Sequence, residues 1–299
     1  MKPVARFIIS VIVVLFVLFS FNIKSKGDVY PHPAEMSQFC KDPVGLAIDG
    51  EISEATYMLV KLYLSCVESH TTTLIALNSK GGSVTESLKI ARLMRKLALE
   101  RNVSFTTLVR PGAFCASACA IIFAGGPDKM SFGKIGLHRP YFTEFKGSEL
   151  ERSMSTLRNR LDQFITDFGI SQKFLDYMII TPPDDIKIFH GEEIFELVPR
   201  EDPVVEARSI ERQAKRYGIT PKEYRRRDAR VDAKCGTYTL SMTDSEAQYQ
   251  WYCRRATLWG ISIENYIKHL EDVEACRADY GPFTNARTSC IQKVLGLRQ

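Results

Sequence analysis

The order of apolar and polar residues divides the chain before any composition is counted. Phe7 to Phe21 is an unbroken apolar or small run, with Lys2 and Arg6 before it and Asn22, Lys24 and Lys26 after it. Such a run predicts an export signal or membrane anchor over 1–26, meeting the membrane through residues 7–23. It ends Phe19-Ser-Phe-Asn-Ile-Lys24 without an A-x-A processing pattern, which favours an uncleaved anchor facing the periplasm. Its length, about 15 to 17 residues against about 20 for a full span, leaves cleavage and a free periplasmic or exported protein open. Residues 27–44, with Pro31, Pro33 and Pro43, read as a linker.

From Gly45 onward the pattern alternates between short apolar runs and helical periodicity. Gly45-Leu-Ala-Ile-Asp-Gly50 predicts a strand and turn, 54–68 a helix, and Thr73 to Leu77 a buried parallel strand that runs into Asn78-Ser-Lys-Gly-Gly82. Ser83 with Glu86 three residues on predicts a capped helix to Glu100, its apolar stripe at Val84, Leu88, Ala91, Met94 and Ala98. A strand at 105–109 follows, then a small-residue turn at Ser117 leading into an apolar helix, and a strand-like run at 135–137. Helices are expected at 148–168 and 172–180, a turn at 181–185, a strand at 186–189 and a helical turn at 191–197. This is an α/β order, in which chemistry gathers at the carboxyl ends of strands.

Pro199 and Pro203 mark a boundary, giving a domain over 45–203, a basic helix or linker over 204–234 and a small, mainly helical module over 235–299. The module shows helical patterns at 247–259 and 263–275, with Trp251 and Trp259 expected in its core.

Composition sharpens this in two places. The net charge of +5 over 299 residues is too small for a nucleic-acid footprint. Residues 206–234, however, hold ten Lys or Arg against five Asp or Glu, a run suited to a solvated helix face or, more sharply, to an anionic membrane surface. The eight cysteines contain no C-x-x-C pair and favour a compartment where disulfides persist; Cys235, Cys253, Cys276 and Cys290 can pair in three ways.

The chemistry concentrates in Ala113 to Pro140. Ser117 stands among Ala116, Ala118 and Ala120 just ahead of the apolar helix, and His138 lies twenty-one residues later at the end of a short strand. Serine and histidine brought together form a nucleophile and its base. Gly81-Gly82 lets the backbone approach a ligand and present the Gly82 N–H, and Ala118 N–H just after the nucleophile would complete a two-donor oxyanion hole. Cys115 and Cys119 read as core residues or disulfide halves, Cys115 less readily as a rival nucleophile. Lys80 and Lys134 could serve as base only if strongly desolvated, whereas His138 starts near neutral pH. His32, His70, His190 and His269 have no ligand pattern around them, so neither metal nor cofactor is expected.

Taken in order, Asn78-Ser-Lys-Gly-Gly82, Cys115-Ala-Ser-Ala118, Gly136-Leu-His138-Arg-Pro140 and the acidic stretch with Asp184-Asp185 and Glu192-Glu193 resemble the blocks of the Clp protease proteolytic subunit within the crotonase superfamily, above all its predicted periplasmic Clp-protease-like members. The resemblance covers about residues 45–200. It implies a fold of repeated ββα units and a serine peptidase with Ser117 as nucleophile, His138 as base and an aspartate as orienter. Matching the family's closing Leu-Val to Leu197-Val198 places that aspartate at Asp184, with Asp185 in reserve; matching its glutamate to Glu193 would instead land on Ile186. Peptide or protein substrates and homo-oligomers are implied by the same likeness. The reading from another class is a catalytically silent relative acting as a binding or assembly module of the cell envelope.

Overall fold

The computed structural model describes residues 45–67, 72–140, 146–237, 242–279 and 285–294. The expected membrane run and the 27–44 linker lie outside these residues, as do His32 and His70. Among the described residues no helix is long and apolar enough to cross a membrane. By contact the chain falls into two compact units that divide between Arg208 and Ser209.

The first unit is α/β. A four-stranded parallel sheet has the order β1 (Gly45–Asp49), β2 (Thr72–Asn78), β3 (Ser104–Val109), β5 (Asp128–Ser131), and a second sheet has the order β4 (Phe114–Ala116), β6 (Lys134–Leu137), β7 (Lys187–His190). Two successive ββα units build both sheets at once. β3 and β4 precede α3 (Ala118–Ala124), and β5 and β6 precede α4 (Gly147–Phe168); each unit gives its first strand to one sheet and its second to the other.

Local chemistry explains the elements between them. Ser53 and Thr56 form a reciprocal cap at the start of α1 (Glu54–Ser65). Ser83 Oγ accepts the Glu86 N–H at 3.3 Å to start α2 (Val84–Arg101), and the left-handed Asn102 ends it. All seven residues of α3 are buried, as expected for a helix apolar on every side. In α4 burial begins only at Leu157 and continues through Leu161, Phe164, Ile165 and Phe168. α5 (Gln172–Ile180) and a 3-10 turn (Gly191–Glu196) complete the layer around β7.

β5 departs from the sequence pattern, which predicts no strand there. Its apolar Met130 faces out, 44% exposed, while Lys129 is only 5% exposed. Burial pushes the Lys129 ammonium down to about 8, opposed by the carboxylates of Asp202 and Asp128. Asp202 itself is buried. It takes Arg95 Nε at 2.7 Å, accepts the N–H of Val204 at 2.9 Å, and so caps the start of α6 (Pro203–Arg216).

The second unit is helical: the later part of α6, then α7 (Pro221–Asp228), α8 (Val231–Cys235), α9 (Asp244–Trp259), α10 (Ile263–Asp279) and α11 (Asn285–Val294). Of its three possible disulfide connectivities, the chain adopts Cys235–Cys253 and Cys276–Cys290. Trp251 and Trp259 are half-buried rather than central. The enclosed positions of so small a unit go to Ala214, Tyr217, Val231, Ala256 and Tyr266, and the tryptophans pack against Tyr266 and Tyr217 from outside.

Candidate active site

The candidate site lies where the two sheets are stitched together. Beyond β2, the Ser79 N–H donates to Phe114 O at 2.8 Å and Ser79 O accepts the Ala116 N–H at 2.9 Å, so the end of β2 joins β4. Ser79 Oγ accepts the Gly81 N–H at 3.1 Å and so holds the turn that follows.

Gly81 and Gly82 have φ of 116° and 138°, values that L side chains rarely adopt. Ile52 bonds to Gly81 O and to the Ser83 N–H at 2.9 and 2.7 Å, a parallel bridge that leaves the Gly82 N–H turned away from Ile52. A Cβ placed on Gly81 would stand 2.7 Å from Ser117 Cβ and 3.3 Å from Ala118 N. The glycine turn therefore lies directly against the serine.

Ser117 joins β4 to α3 at φ 55° and ψ −120°. Besides the ordinary left-handed cap Asn102, it is the one non-glycine residue with positive φ among the described residues. A conformation so sparsely populated costs about 1–3 kcal/mol and persists only where surrounding structure enforces it. The Ser117 N–H donates to Gly136 O at 2.9 Å and its carbonyl accepts the Ala120 N–H at 3.0 Å. Its hydroxyl makes no cap bond to the helix it precedes. The Ala118 and Gly82 N–H groups have no acceptor among the described residues.

A further covalent feature surrounds the serine. Cys115 and Cys119, both fully buried, are joined to each other across it, with Cα atoms 5.1 Å apart. The disulfide role left open by the sequence holds, and with it the rival thiol nucleophile falls away. Among the described residues no free cysteine remains.

His138 follows β6, one residue further along its strand than the position facing Ser117, since Ala116 pairs with Gly136. With strands about 4.8 Å apart, serine and histidine occupy neighbouring strand ends. His138 is 9% exposed and its Nδ1 lies 3.2 Å from Arg139 O. With the proton on Nδ1 donated to that carbonyl, Nε2 carries the lone pair a base needs. No hydrogen bond joins Ser117 Oγ to the ring among the described residues, a looseness common before substrate tightens such contacts.

The acidic turn is tethered near the histidine but does not reach it. The Arg139 N–H donates to Thr181 O at 2.8 Å, which holds the start of the 181–186 turn beside His138. Asp184 and Asp185 are both exposed, and Asp185 Oδ1 accepts the Ile186 N–H at 2.8 Å. Neither carboxylate bonds to His138 among the described residues. Lys80 and Lys134 are exposed and lack the desolvation a lysine base requires. Among the described residues no group of three or more His, Cys, Asp or Glu is arranged to hold a metal ion. The sequence reading missed the part of Ser79, whose burial and bond to Gly81 were foreshadowed only by its place in the Asn78 to Gly82 block, and that of the Arg139 carbonyl, which no residue type announces.

No protein-family model and no curated protein matches the chain. Solved structures do match. A mutant of the membrane-bound stomatin-specific protease 1510-N is 19% identical, with a TM-score of 0.40 over 52% of this chain and 75% of its own. ClpP1 from Listeria monocytogenes is 18% identical, with a TM-score of 0.42 over 54% of this chain and 91% of its own. A point mutant of that ClpP1 is 16% identical, with a TM-score of 0.43 over the same shares of 54% and 91%.

Proposed function

We propose that the chain is a serine peptidase that cleaves peptide bonds through an acyl-enzyme, with Ser117 as nucleophile, His138 as base, and Gly82 and Ala118 as oxyanion donors. The observation that carries this reading is Ser117 itself: a residue held at φ 55° on a strand-to-helix elbow, against a glycine turn, where the Gly82 and Ala118 N–H groups have no acceptor among the described residues. Packing alone gives no reason to hold a serine in that conformation.

In this mechanism Ser117 Oγ attacks the scissile carbonyl carbon while His138 Nε2 takes the hydroxyl proton. The carbonyl oxygen becomes an oxyanion, to which the Gly82 and Ala118 N–H groups donate. The intermediate collapses, the C–N bond breaks, and the leaving amine receives the proton from His138. Water, deprotonated by the same ring, then releases the acid and restores Ser117. The Arg139 carbonyl keeps the ring in the required tautomer, and Asp184, with Asp185 in reserve, is the orienting carboxylate if the 181–186 turn closes on substrate. Losing only the orienter of such a triad costs about 10⁴-fold in rate, less than losing the nucleophile or the base, so the remaining pair still works. The disulfides support an exported or membrane-anchored protein facing the periplasm; peptide or protein substrates and self-association belong to the same reading.

The exposure of both aspartates favours a second reading, a catalytically silent binding or assembly module. A fluorophosphonate probe separates the two. Labelling of the wild type that is lost in Ser117→Ala and slowed in His138→Gln is expected across roughly pH 6–9. Absence of Ser117-dependent labelling over that range gives the silent module instead.

A further inference from the structure

The helical unit carries a cleft of its own, lined by Glu223, Arg226, Arg227, Arg230 and Lys234 from the α7–α8 stretch and by Thr257, Gly260 and Ile261 at and just past the end of α9. Four cations thus share a wall with one carboxylate. Glu223 is already engaged: Arg226 holds it through Nε at 2.8 Å and Arg227 through Nε at 2.7 Å, which keeps its carboxyl down at about 2. Arg230 and Lys234 have no side-chain partner among the described residues, and the wall is left with an uncompensated positive field.

Like charges on one wall repel, so the chain must hold them there by other means, and three are visible. The Cys235–Cys253 disulfide fastens α8, next to Lys234, onto α9. Arg227 Nη1 donates to Leu258 O at 2.8 Å, which ties α7 to the same helix. Gly260 leaves room for that guanidinium, since a Cβ there would stand 2.7 Å from Arg227 Nη1. The backbone that carries Arg230 and Lys234 is therefore held in place, while their side chains stay exposed to the cleft and to solvent.

We propose that this cleft binds a phosphate group carrying two negative charges, held by the Arg230 guanidinium fork and the Lys234 ammonium, with Arg226 and Arg227 contributing field. A guanidinium matches phosphate oxygens in a bidentate manner and an ammonium serves as a point charge beside it. A phosphomonoester, at about −1.5 to −2 near neutral pH, balances the excess better than a single carboxylate. Such a group can come from a soluble phosphate ester or from a phosphomonoester lipid headgroup, and the chemistry of recognition is the same.

The test uses the full chain and two arms. In the first, inorganic phosphate is titrated at constant ionic strength into the wild type, into Arg230→Gln/Lys234→Gln, and into Lys268→Gln, an exposed lysine outside the cleft. The double variant should bind about tenfold or more weakly, from the loss of two charge-assisted donors, while Lys268→Gln binds as the wild type does. Because both altered residues are exposed and their neutralisation relieves repulsion on the wall, the temperature of thermal unfolding should not be lowered. In the second arm the same proteins meet phosphatidylcholine vesicles with and without phosphatidic acid. An excess on the phosphatidic acid vesicles that the double variant loses identifies a lipid headgroup, and no excess in any protein identifies a soluble ester. Phosphate binding that is absent in the wild type, or equal in the double variant, overturns the proposal whatever the vesicles do. None of these measurements depends on Ser117.

Discussion

Gly81 and Ser117 lie so close that a Cβ on the glycine would meet the serine Cβ at 2.7 Å. The contact joins the turn after β2 to the elbow after β4, elements that belong to different sheets. Gly81→Ala would have to displace one of them, and its φ of 116° adds backbone strain. In the proposed mechanism this disturbs the alignment of an oxyanion donor, a loss of about 3 kcal/mol of transition-state stabilisation, so Ser117 labelling should slow by about a hundredfold. Stopped-time labelling with a fluorophosphonate measures it; an unchanged rate would separate the glycine turn from the chemistry.

The elbow also predicts a gain of stability at the expense of function. Ser117 occupies a region of φ and ψ that glycine enters freely. Ser117→Gly should therefore stabilise the fold by about 1 kcal/mol, the relief of strain less the entropy glycine loses on folding, while abolishing labelling. Urea unfolding of the two proteins decides it. A destabilised glycine variant would mean that the elbow stores no strain.

The Cys115–Cys119 disulfide closes a loop of five residues around Ser117. For so short a loop the chain-entropy contribution is about 2 kcal/mol. Replacing both cysteines by alanine should lower stability by about that amount and slow the labelling step at saturating probe, with little change in the probe's apparent affinity. Equal labelling rates with lowered stability would make the disulfide a staple of the fold and nothing more.

Lys129 makes stability depend on pH in the alkaline range. Its folded pKa, about 8, lies below its ordinary value of 10.5 because burial disfavours the charged form. Between those values the unfolded chain binds a proton that the folded chain does not, so stability rises with pH there and the penalty is fully present below about pH 8. The rise should be about 3 kcal/mol. Comparing the wild type with Lys129→Met from pH 8 upward isolates it, since other titrating groups cancel in the difference. Parallel curves would show that Lys129 is not desolvated.

Much of the site could be read from order and residue type. The Asn78 to Gly82 turn, the small residues around Ser117 and the strand end before His138 each announce themselves within a few positions; the structure sets Gly81 against Ser117 and pairs Ala116 with Gly136, two residues before His138. The missing parts fail for identifiable reasons. In an extended strand Cys115 and Cys119 would stand about 13 Å apart; only the reversal at Ser117 brings their Cα atoms to 5.1 Å. β5 escaped because its lysine points inward and its methionine outward, against the usual alternation. Residues 206–234 read as a solvated face, and Arg225, Arg226, Arg230 and Lys234 are indeed exposed; what the sequence does not show is that Cys235, just past them, is tied to Cys253, 18 positions on.

By itself, then, the sequence determined what interactions within about four residues can determine: the Ser83 cap, the stripe of α2, the buried run of β2, the apolar helix behind Ser117. Those rest on periodicity and on side chains bonding to nearby backbone. The tertiary structure alone decided which distant groups meet: Gly81 against Ser117, Asp202 with Arg95, Thr181 beside Arg139, Arg227 over Gly260. The physical reason is that these contacts depend on how sheets and helices pack once formed, and packing is settled by the whole core rather than by any neighbourhood along the chain.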